Sequence, residues 1–306
     1  MMINRLLEIS TGNIKSLART ISLVENEVKG YEQLLQSLPV STTPVIGITG
    51  PPGAGKSTLV DALIEALVKE NKKIGVLCVD PTSPFNYGAL LGDRIRMNQW
   101  YNHPNVFIRS LASRGSLGGL NPKIIEITDI MKAAPFDYVF VETVGVGQTE
   151  VEIAGLADVT VVVLVPESGD EVQTMKAGLM EIADIFIVNK ADRPATDVMM
   201  KGLRSMLSPS FKSDHPIPVL KTIASQQQGI KEVIEAIQNG IALPHQSNKK
   251  EWLLTEKAYL LIQQNRMKGI SRAKLFEMIS EQNATSKINI YTFVTEFLSN
   301  EKQFFG

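Results

Sequence analysis

Apolar residues follow two different spacings along the chain, and each spacing predicts a different kind of element. Between Leu17 and Leu38 they recur in a four-three pattern, which predicts one helix with a narrow apolar face that ends before Pro39. Such a face indicates that the helix packs on the domain that follows it; the alternative is that it pairs with another subunit. After Pro44 short β-branched runs alternate with helical stretches. The runs predict strands at residues 45–49, 74–80, 106–110, 137–142, 159–165, 184–190 and 216–220.

The predicted strands indicate an α/β fold. Because the runs are apolar along their whole length, we expect them to be buried on both faces of a sheet. Their alternation with helices predicts a mostly parallel sheet with right-handed crossovers, in a three-layer domain over residues 41–245. Residues 1–40 and 246–306 are predicted as N-terminal and C-terminal helical extensions. The C-terminal helices are predicted at residues 250–265, 271–282 and 286–299, the second of them capped by Ser271.

A glycine-rich loop follows the first predicted strand and precedes a helical stretch. It is a complete G-x-x-x-x-G-K-[ST] motif in the strand–loop–helix context that defines a P-loop NTPase. Its glycines let backbone N–H groups turn towards phosphate oxygens, and the helix N-terminus adds partial positive charge. Lys56 is expected to reach the β- and γ-phosphates, and Ser57 to ligate Mg²⁺. The expected phosphate-binding residues are Gly50, Gly53, Ala54, Gly55, Lys56, Ser57 and Thr58.

A second motif, Asn189-Lys190-Ala191-Asp192, stands at the carboxyl end of a predicted buried strand. The Asp192 carboxylate can accept hydrogen bonds from N1–H and N2–H of guanine, whereas adenine presents a lone pair at N1 that a buried carboxylate repels. Lys190 is expected to lay its aliphatic stem along the purine. Backbone contacts to the same base are expected from the loop that contains Ala224. Together with the phosphate loop, the motif predicts a guanine nucleotide.

The strand at residues 137–142 ends in a loop with the spacing of a D-x-x-G switch, in which Glu142 replaces the aspartate. Its carboxylate is expected to hold Mg²⁺ directly or through a water, and the Gly145 N–H to reach the γ-phosphate. Val146 stands where several GTPases carry the glutamine that orients water. We therefore expect slow hydrolysis unless Gln148 moves in or a partner completes the site. An exposed strand-end carboxylate is the alternative for Glu142.

Asp80 ends the second predicted strand, and the following loop contains Asp93, Arg94 and Arg96. Carboxylates beside the phosphates suit the water shell of a metal ion or the activation of the attacking water. The two arginines are expected to form surface pairs, with stabilisation of the transition state as the alternative. The candidate catalytic residues are Lys56, Asp80, Asp93 and Gln148, and the candidate metal ligands are Ser57, Asp80, Asp93 and Glu142.

Charge and cysteine content limit the possible partners and the compartment. Lys and Arg number 31 against 32 Asp and Glu, a net charge of −1, which argues against sequence-independent binding to nucleic acid or to an acidic membrane. One cysteine cannot form an internal disulfide, and the three histidines show no zinc-type spacing. No apolar run is long enough to span a membrane. These features predict a cytoplasmic protein.

Four motifs together carry a resemblance to one family. They are Glu142-Thr-Val-Gly-Val-Gly-Gln148, Val79-Asp80-Pro81, Leu91-Gly92-Asp93 and Asn189-Lys190-Ala191-Asp192. With them the chain resembles the MeaB/ArgK family of P-loop GTPases over nearly its whole length. The resemblance implies a homodimeric chaperone that couples GTP binding and hydrolysis, with Mg²⁺, to cofactor loading and protection of adenosylcobalamin-dependent methylmalonyl-CoA mutase or a related acyl-CoA mutase. It also implies a dimerisation arm in the C-terminal extension.

Roles carry over from the family position by position. The resemblance assigns Lys56 and Ser57 to phosphate and metal, Asp80, Asp93 and Glu142 to the magnesium site, Asn189 and Asp192 to guanine, and Lys176 to a switch loop. Three other functions remain as alternatives. One is an ATP- or GTP-dependent kinase associated with amino-acid (LAO/AO, arginine) transport, because a P-loop alone does not exclude phosphotransfer. The others are a nickel chaperone, which usually carries His-rich or Cys-based sites, and a binding module that does not hydrolyse nucleotide.

Overall fold

The fold is known from a computed structural model of the chain. It describes residues 2–80, 97–113, 121–143, 153–168, 180, 182–207, 216–243, 247–267, 270–285 and 287–304. The chain divides into two compact units, Met1–Lys257 and Ala258–Gly306. Each unit is described here by itself.

The first unit is built on a parallel sheet. Its strands are β1 (Val45–Thr49), β2 (Ile74–Asp80), β3 (Val106–Ala112), β4 (Tyr138–Glu142), β5 (Val159–Leu164), β6 (Ile185–Val188) and β7 (Val219–Lys221). Among the described residues these seven strands form one sheet in the order β3-β2-β4-β1-β5-β6-β7, and each neighbouring pair is parallel. The predicted α/β fold with a parallel sheet is confirmed.

Helices cover both faces of this sheet. In the first unit they are α1 (Met2–Ser10), α2 (Ile14–Glu25), α3 (Tyr31–Gln36), α4 (Lys56–Lys69), α5 (Ile124–Lys132), α6 (Thr196–Leu207), α7 (Ile230–Ala242) and the first part of α8 (Ser247–Arg266). Alternate residues of β5 show the layering, because Val161 and Val163 pack with α4 and α7, whereas Val162 and Leu164 pack with α6. The sheet is therefore the middle of three layers.

Three C-terminal helices are present as predicted, but the third begins at Ile290 rather than at residue 286 and extends to Phe304. Helix α8 is followed in the second unit by α9 (Arg272–Thr285) and α10 (Ile290–Phe304). The Ser271 side chain accepts the Lys274 N–H at 3.1 Å, so its predicted role as the N-cap of α9 is confirmed. None of the helices that the structure describes combines the length and apolar character required for a bilayer crossing.

The prediction of one helix from Leu17 to Leu38 is wrong. Helix α2 ends at Glu25, and α3 begins at Tyr31. Between them Gly30 has a φ of 95°, in the left-handed region where glycine lacks the steric penalty of other residues. The Asn26 side chain also donates to the Ser22 carbonyl at 2.8 Å and helps to end α2. The four-three spacing continues across the turn and therefore gives no sign of the break.

The bounds of β6 and β7 differ most from the prediction. β6 stops at Val188 because the chain turns at Asn189 and Lys190, the latter with a φ of 54°. β7 begins at Val219 rather than at residue 216, since Pro216 and Pro218 have no N–H to donate to a ladder. β1 and β2 have the predicted bounds.

Three aspartates fix the amino-terminal ends of the sheet. Asp158 accepts the N–H of Val45, the first residue of β1, at 2.8 Å. Asp184 accepts the Thr160 N–H in β5 at 2.8 Å, and Asp137 accepts the Lys73 N–H just before β2 at 2.7 Å. Each carboxylate thus provides a backbone donor with an acceptor where the ladder begins. These contacts hold the strand register, on which the alignment of the opposite ends depends.

Thr20 provides a test of packing in the N-terminal extension. Helix α2 packs on α5, and the Thr20 side chain is fully buried in α2 with a hydroxyl that has no hydrogen-bond partner in the described part of the chain. Thr20→Val removes this buried polar group, so we expect the free energy of unfolding to rise by about 1 kcal/mol. Urea unfolding measures the change. Thr128→Val is the matched control, because the equally buried Thr128 hydroxyl donates to Ile124 at 2.7 Å. A gain in the control, or none at Thr20, would contradict this account.

Candidate nucleotide-binding site

The strand order brings the predicted motifs to one edge of the sheet. β1 lies at the centre, between β4 and β5, with β2 beyond β4 and β6 beyond β5. Because all these strands are parallel, their carboxyl ends meet at the same edge. The phosphate loop after β1 therefore lies between the acids that end β2 and β4 and the Asn189 motif that follows β6. This is the position at which ligands bind in open α/β sheets.

Two glycines allow the phosphate loop to lie closely on neighbouring strands. Gly50 has a φ of 137°, and a Cβ there would lie 2.0 Å from the Val163 carbonyl oxygen of β5. Gly55 has a φ of 86°, and a Cβ there would lie 2.4 Å from Nδ2 of Asn189. Both positions thus require glycine for backbone conformation and for space. The loop is held against β5 and the end of β6.

Lys56 lies over the phosphate loop. Its side chain is buried, and its ammonium donates to the carbonyl oxygens of Gly50 at 2.9 Å and Pro51 at 3.1 Å. Helix α4 begins at this residue, so the N–H groups of its first turn and the lysine charge lie at the same place. Of the other predicted residues, Ala54 is buried whereas Gly53 and Thr58 are exposed. The arrangement is suited to a polyphosphate.

Three oxygen-bearing side chains lie beside the loop. Ser57 donates to Oε1 of Glu142 at 2.7 Å, and both residues are buried. Asp80 is also buried at the end of β2, where Cys78 stands opposite Glu142 in the adjacent strand. The alternative of an exposed strand-end carboxylate is therefore wrong for Glu142. Hydroxyl and carboxylate oxygens are hard donors, so the set fits Mg²⁺, which usually takes one or two carboxylates together with waters and phosphates.

Asn189 joins three loops. Its side chain is 2% exposed and donates from Nδ2 to the Ala54 carbonyl of the phosphate loop at 2.9 Å. Its Oδ1 accepts the Thr222 hydroxyl at 3.0 Å and the Ala224 N–H at 3.2 Å. The Ala224 N–H, expected from the sequence to contact the base, is thus engaged with Asn189. Sequence reasoning missed the Thr222 side chain, although its position two residues before Ala224 offered a signal.

Lys190 and Asp192 stand on the turn after β6. The Lys190 ammonium donates to the Gly53 carbonyl at 2.8 Å, and this contact extends its stem along the phosphate loop. The Asp192 side chain is exposed, so a bound base would have to bury it. The neighbouring Arg193 pairs with Glu167 after β5, and this hydrogen bond lowers the pKa of the Glu167 carboxyl. The turn is thereby connected to the end of β5.

The turn that contains Ala224 is also held by a hydrogen bond to helix α4. Ala224–Gln226 form one turn of 3₁₀-helix, and Gln227 follows with a φ of 58°. The Gln227 side chain donates to Glu65 of α4 at 2.8 Å. Sequence reasoning gave no role to Gln227 or Glu65. Helix α4 therefore carries both the phosphate loop at its N-terminus and a support for the turn beside the expected base.

Comparison with known families agrees with this geometry. Residues 17–275 match the family described as "Methylmalonyl Co-A mutase-associated GTPase MeaB". The chain belongs to the MeaB family. Members of this family among its relatives are named as GTPases, so GTPase activity and guanine-nucleotide binding are properties of the family to which it belongs.

Two relatives and one solved structure give the extent of the similarity. A putative GTPase of Pyrococcus abyssi is 48% identical over 246 residues, 77% of this chain and 75% of the relative. A fused isobutyryl-CoA mutase of Geobacillus kaustophilus is 37% identical over 239 residues, 73% of this chain and 22% of the mutase. A crystal structure described as LAO/AO transport system kinase superposes with a TM-score of 0.68 at 23% identity, covering 98% of this chain and 97% of that one. At this identity the superposition confirms the P-loop NTPase fold.

Several predicted site residues of this MeaB-family chain lie outside the described residues. They are Asp93, Arg94, Arg96, Gly145, Val146, Gln148 and Lys176. Their roles stay predictions from the sequence. The described residues bring together Lys56, Ser57, Asp80, Glu142 and Asn189 around the phosphate loop.

Proposed function

We propose that this chain binds GTP together with Mg²⁺, hydrolyses it slowly, and acts as a nucleotide-dependent chaperone of an adenosylcobalamin-dependent acyl-CoA mutase. One observation carries the nucleotide part of the proposal. The buried Asn189 side chain bonds at once to the phosphate loop, to Thr222 and to Ala224. A phosphate-binding loop and a guanine-reading motif therefore share one network of hydrogen bonds, as a pocket for a guanine nucleotide requires.

Each residue of the site then has a chemical task. The Lys56 ammonium would exchange its carbonyl acceptors for β- and γ-phosphate oxygens. Ser57, Glu142 and Asp80 would hold Mg²⁺, which when bound neutralises charge on the phosphates. Asp192 would accept hydrogen bonds from the two guanine N–H groups. The bound base would also exclude water from the Asp192 carboxylate, and this desolvation strengthens the preference for guanine over adenine. Asp80 and, from the sequence, Asp93 and Gln148 are the candidates for orienting the attacking water.

The mutase part of the proposal is supported by the relatives. The family description names a methylmalonyl-CoA mutase, and the Geobacillus kaustophilus relative is a fused isobutyryl-CoA mutase that contains a segment similar to this chain. Fusion holds two partners at high effective concentration, which is useful only where they act together. We propose that contact with a mutase completes the slow hydrolytic site.

A homodimer is the second part of the partner proposal. The second unit exposes large apolar side chains, among them Tyr259 at 63%, Phe276 at 73% and Tyr291 at 82%. Exposed aromatic residues in such number are typical of a surface that packs on another chain. We propose that a second copy covers them, and sedimentation of the full chain tests the oligomeric state.

The nucleotide proposal is tested by comparing GTP and ATP. With Mg²⁺ the parent protein should bind GTP far better than ATP, and Asp192→Asn should lower GTP affinity by about 30-fold through loss of the charge-assisted hydrogen bonds, with little change for ATP. Titration calorimetry measures both affinities. Arg193→Gln is the matched control on the same turn, since it removes a surface pair with Glu167 but no donor or acceptor for the base. Equal affinities for GTP and ATP in the parent would contradict the base assignment.

The mutase and kinase alternatives are separated by labelled GTP. Label at the γ-phosphate should appear as free phosphate, slowly with the chain alone and faster when an adenosylcobalamin-dependent acyl-CoA mutase is added. Label on a protein acceptor would support the kinase instead. Absence of any turnover, with and without mutase, would favour a module that only binds nucleotide.

A further inference from the structure

A pair of buried hydroxyl groups joins the carboxyl ends of β1 and β4. Thr49 is the last residue of β1 and Thr143 follows the last residue of β4. The Thr143 hydroxyl donates to the Thr49 hydroxyl at 3.0 Å, and the two residues are 2% and 0% exposed. The contact follows from register, because Ile48 stands opposite Glu142 and the Thr143 N–H donates to the Ile48 carbonyl at 3.0 Å.

Each threonine is one residue away from a group that the proposed function uses. Thr49 precedes Gly50, whose carbonyl accepts the Lys56 ammonium at 2.9 Å. Thr143 follows Glu142, whose carboxylate accepts the Ser57 hydroxyl at 2.7 Å. A shift of one strand end against the other would therefore change the separation between the lysine and the carboxylate.

Burial makes this bond hard to replace. A hydroxyl that loses its partner at 0% or 2% exposure has no access to bulk water, so separating the strand ends leaves polar groups unsatisfied. Valine has nearly the shape of threonine without the hydroxyl, and it keeps the packing while removing the bond. The pair is thus a specific connection between β1 and β4 beyond their backbone ladder.

We propose that Thr49 and Thr143 are positioning residues that set the distance between the phosphate loop and the Glu142 strand end, and thereby the preference for GTP over GDP. This inference rests on the proposed function. The base would be held by the Asn189 network, which lies on the side of β1 away from β4, and the β-phosphate by the loop that follows β1. The γ-phosphate with its Mg²⁺ would lie between Lys56 and Glu142, so its binding depends most on their separation.

Four variants and one control test the pair. Thr49→Val and Thr143→Val should each lower the ratio of GTP to GDP affinity by about 5- to 20-fold, with GDP affinity within about twofold of the parent. Thr143→Ser keeps the hydroxyl and should keep most of the ratio. The matched control Thr20→Val changes a fully buried threonine of α2 and should leave the ratio unchanged. Fluorescence titration with Mg²⁺, GDP and a non-hydrolysable GTP analogue gives the affinities.

The double variant Thr49→Val with Thr143→Val separates positioning from stability. Each single variant leaves one buried hydroxyl unpaired and should lower Tm by about 2–4 °C, whereas the double variant has no unpaired hydroxyl and should regain most of that loss. Its ratio of GTP to GDP affinity should nevertheless stay as low as in the single variants.

The outcomes distinguish this inference from the proposed function. A parent that binds GTP selectively, together with a double variant whose GTP to GDP ratio is that of the parent, would overturn the inference alone. A ratio that follows Tm through the series would also overturn it, since the pair would then act only on stability. A parent without affinity for GTP in the presence of Mg²⁺ would overturn the proposed function and this inference with it.

Discussion

Replacing Lys56 with alanine is expected to lower the rate of GTP hydrolysis by about 10³-fold, the largest effect of any substitution considered for this chain. The lysine is buried at the start of α4, and its charge is directed into the phosphate loop by two carbonyl acceptors. Charge that builds on the transferring phosphoryl group would then lack its nearest cation. Release of phosphate under single-turnover conditions measures the loss.

The control for this variant lies on the same helix. Lys69 ends α4, is 69% exposed, and pairs only with Glu65 among the described residues, so Lys69→Ala should keep the parental rate. A Lys56→Ala protein that retains more than about a tenth of the parental rate would show that the catalytic charge comes from elsewhere. Loss of rate in the Lys69 variant would indicate a general effect on α4 instead.

Asn189→Ala is expected to weaken the binding of both GTP and ATP, GTP by about 10²- to 10³-fold. The substitution removes three hydrogen bonds and leaves the Ala54 carbonyl, the Thr222 hydroxyl and the Ala224 N–H without their present partner. Because one of these bonds reaches the phosphate loop, the loss should extend to ATP. Asp192→Asn, by contrast, should affect GTP alone, and calorimetry on both variants makes the comparison.

A second buried asparagine provides the matched control. Asn121 is 2% exposed, like Asn189, and donates to the Ala112 carbonyl at the end of β3, the edge strand farthest from β6 and β7. Asn121→Ala should lower stability without changing the preference for GTP. If Asn189→Ala lowered GTP affinity no more than Asn121→Ala does, the proposed network would have no role in nucleotide binding.

The local sequence pattern was sufficient to predict strand β1 and the phosphate loop. The apolar run from Val45 to Thr49 and the glycines that follow it predict a buried strand and a phosphate loop, and both are where the sequence places them. The break between α2 and α3 was missed because left-handed conformations at Glu27 and Gly30 turn the chain there, while the apolar spacing continues. The backbone conformation of two turn residues does not change the spacing of apolar residues along the sequence.

Contacts between distant strands were beyond the reach of the sequence. Whether Glu142 is buried depends on its place beside β2 and on Ser57 of α4, neither of which a local pattern shows. The Thr49–Thr143 bond likewise needs β4 to lie next to β1, although β2 and β3 separate them along the chain. Sheet order and register are global properties, and site geometry that depends on them had to come from the structure.

The three aspartates at the strand entries have a consequence for protein engineering. Asp137, Asp158 and Asp184 set the alignment of the sheet at one end, whereas nucleotide-binding loops emerge at the other. Loops grafted at the carboxyl edge of the sheet would therefore not affect the register of the strands. We expect exchange of these loops between relatives to leave the strand alignment unchanged as long as the three carboxylates are retained.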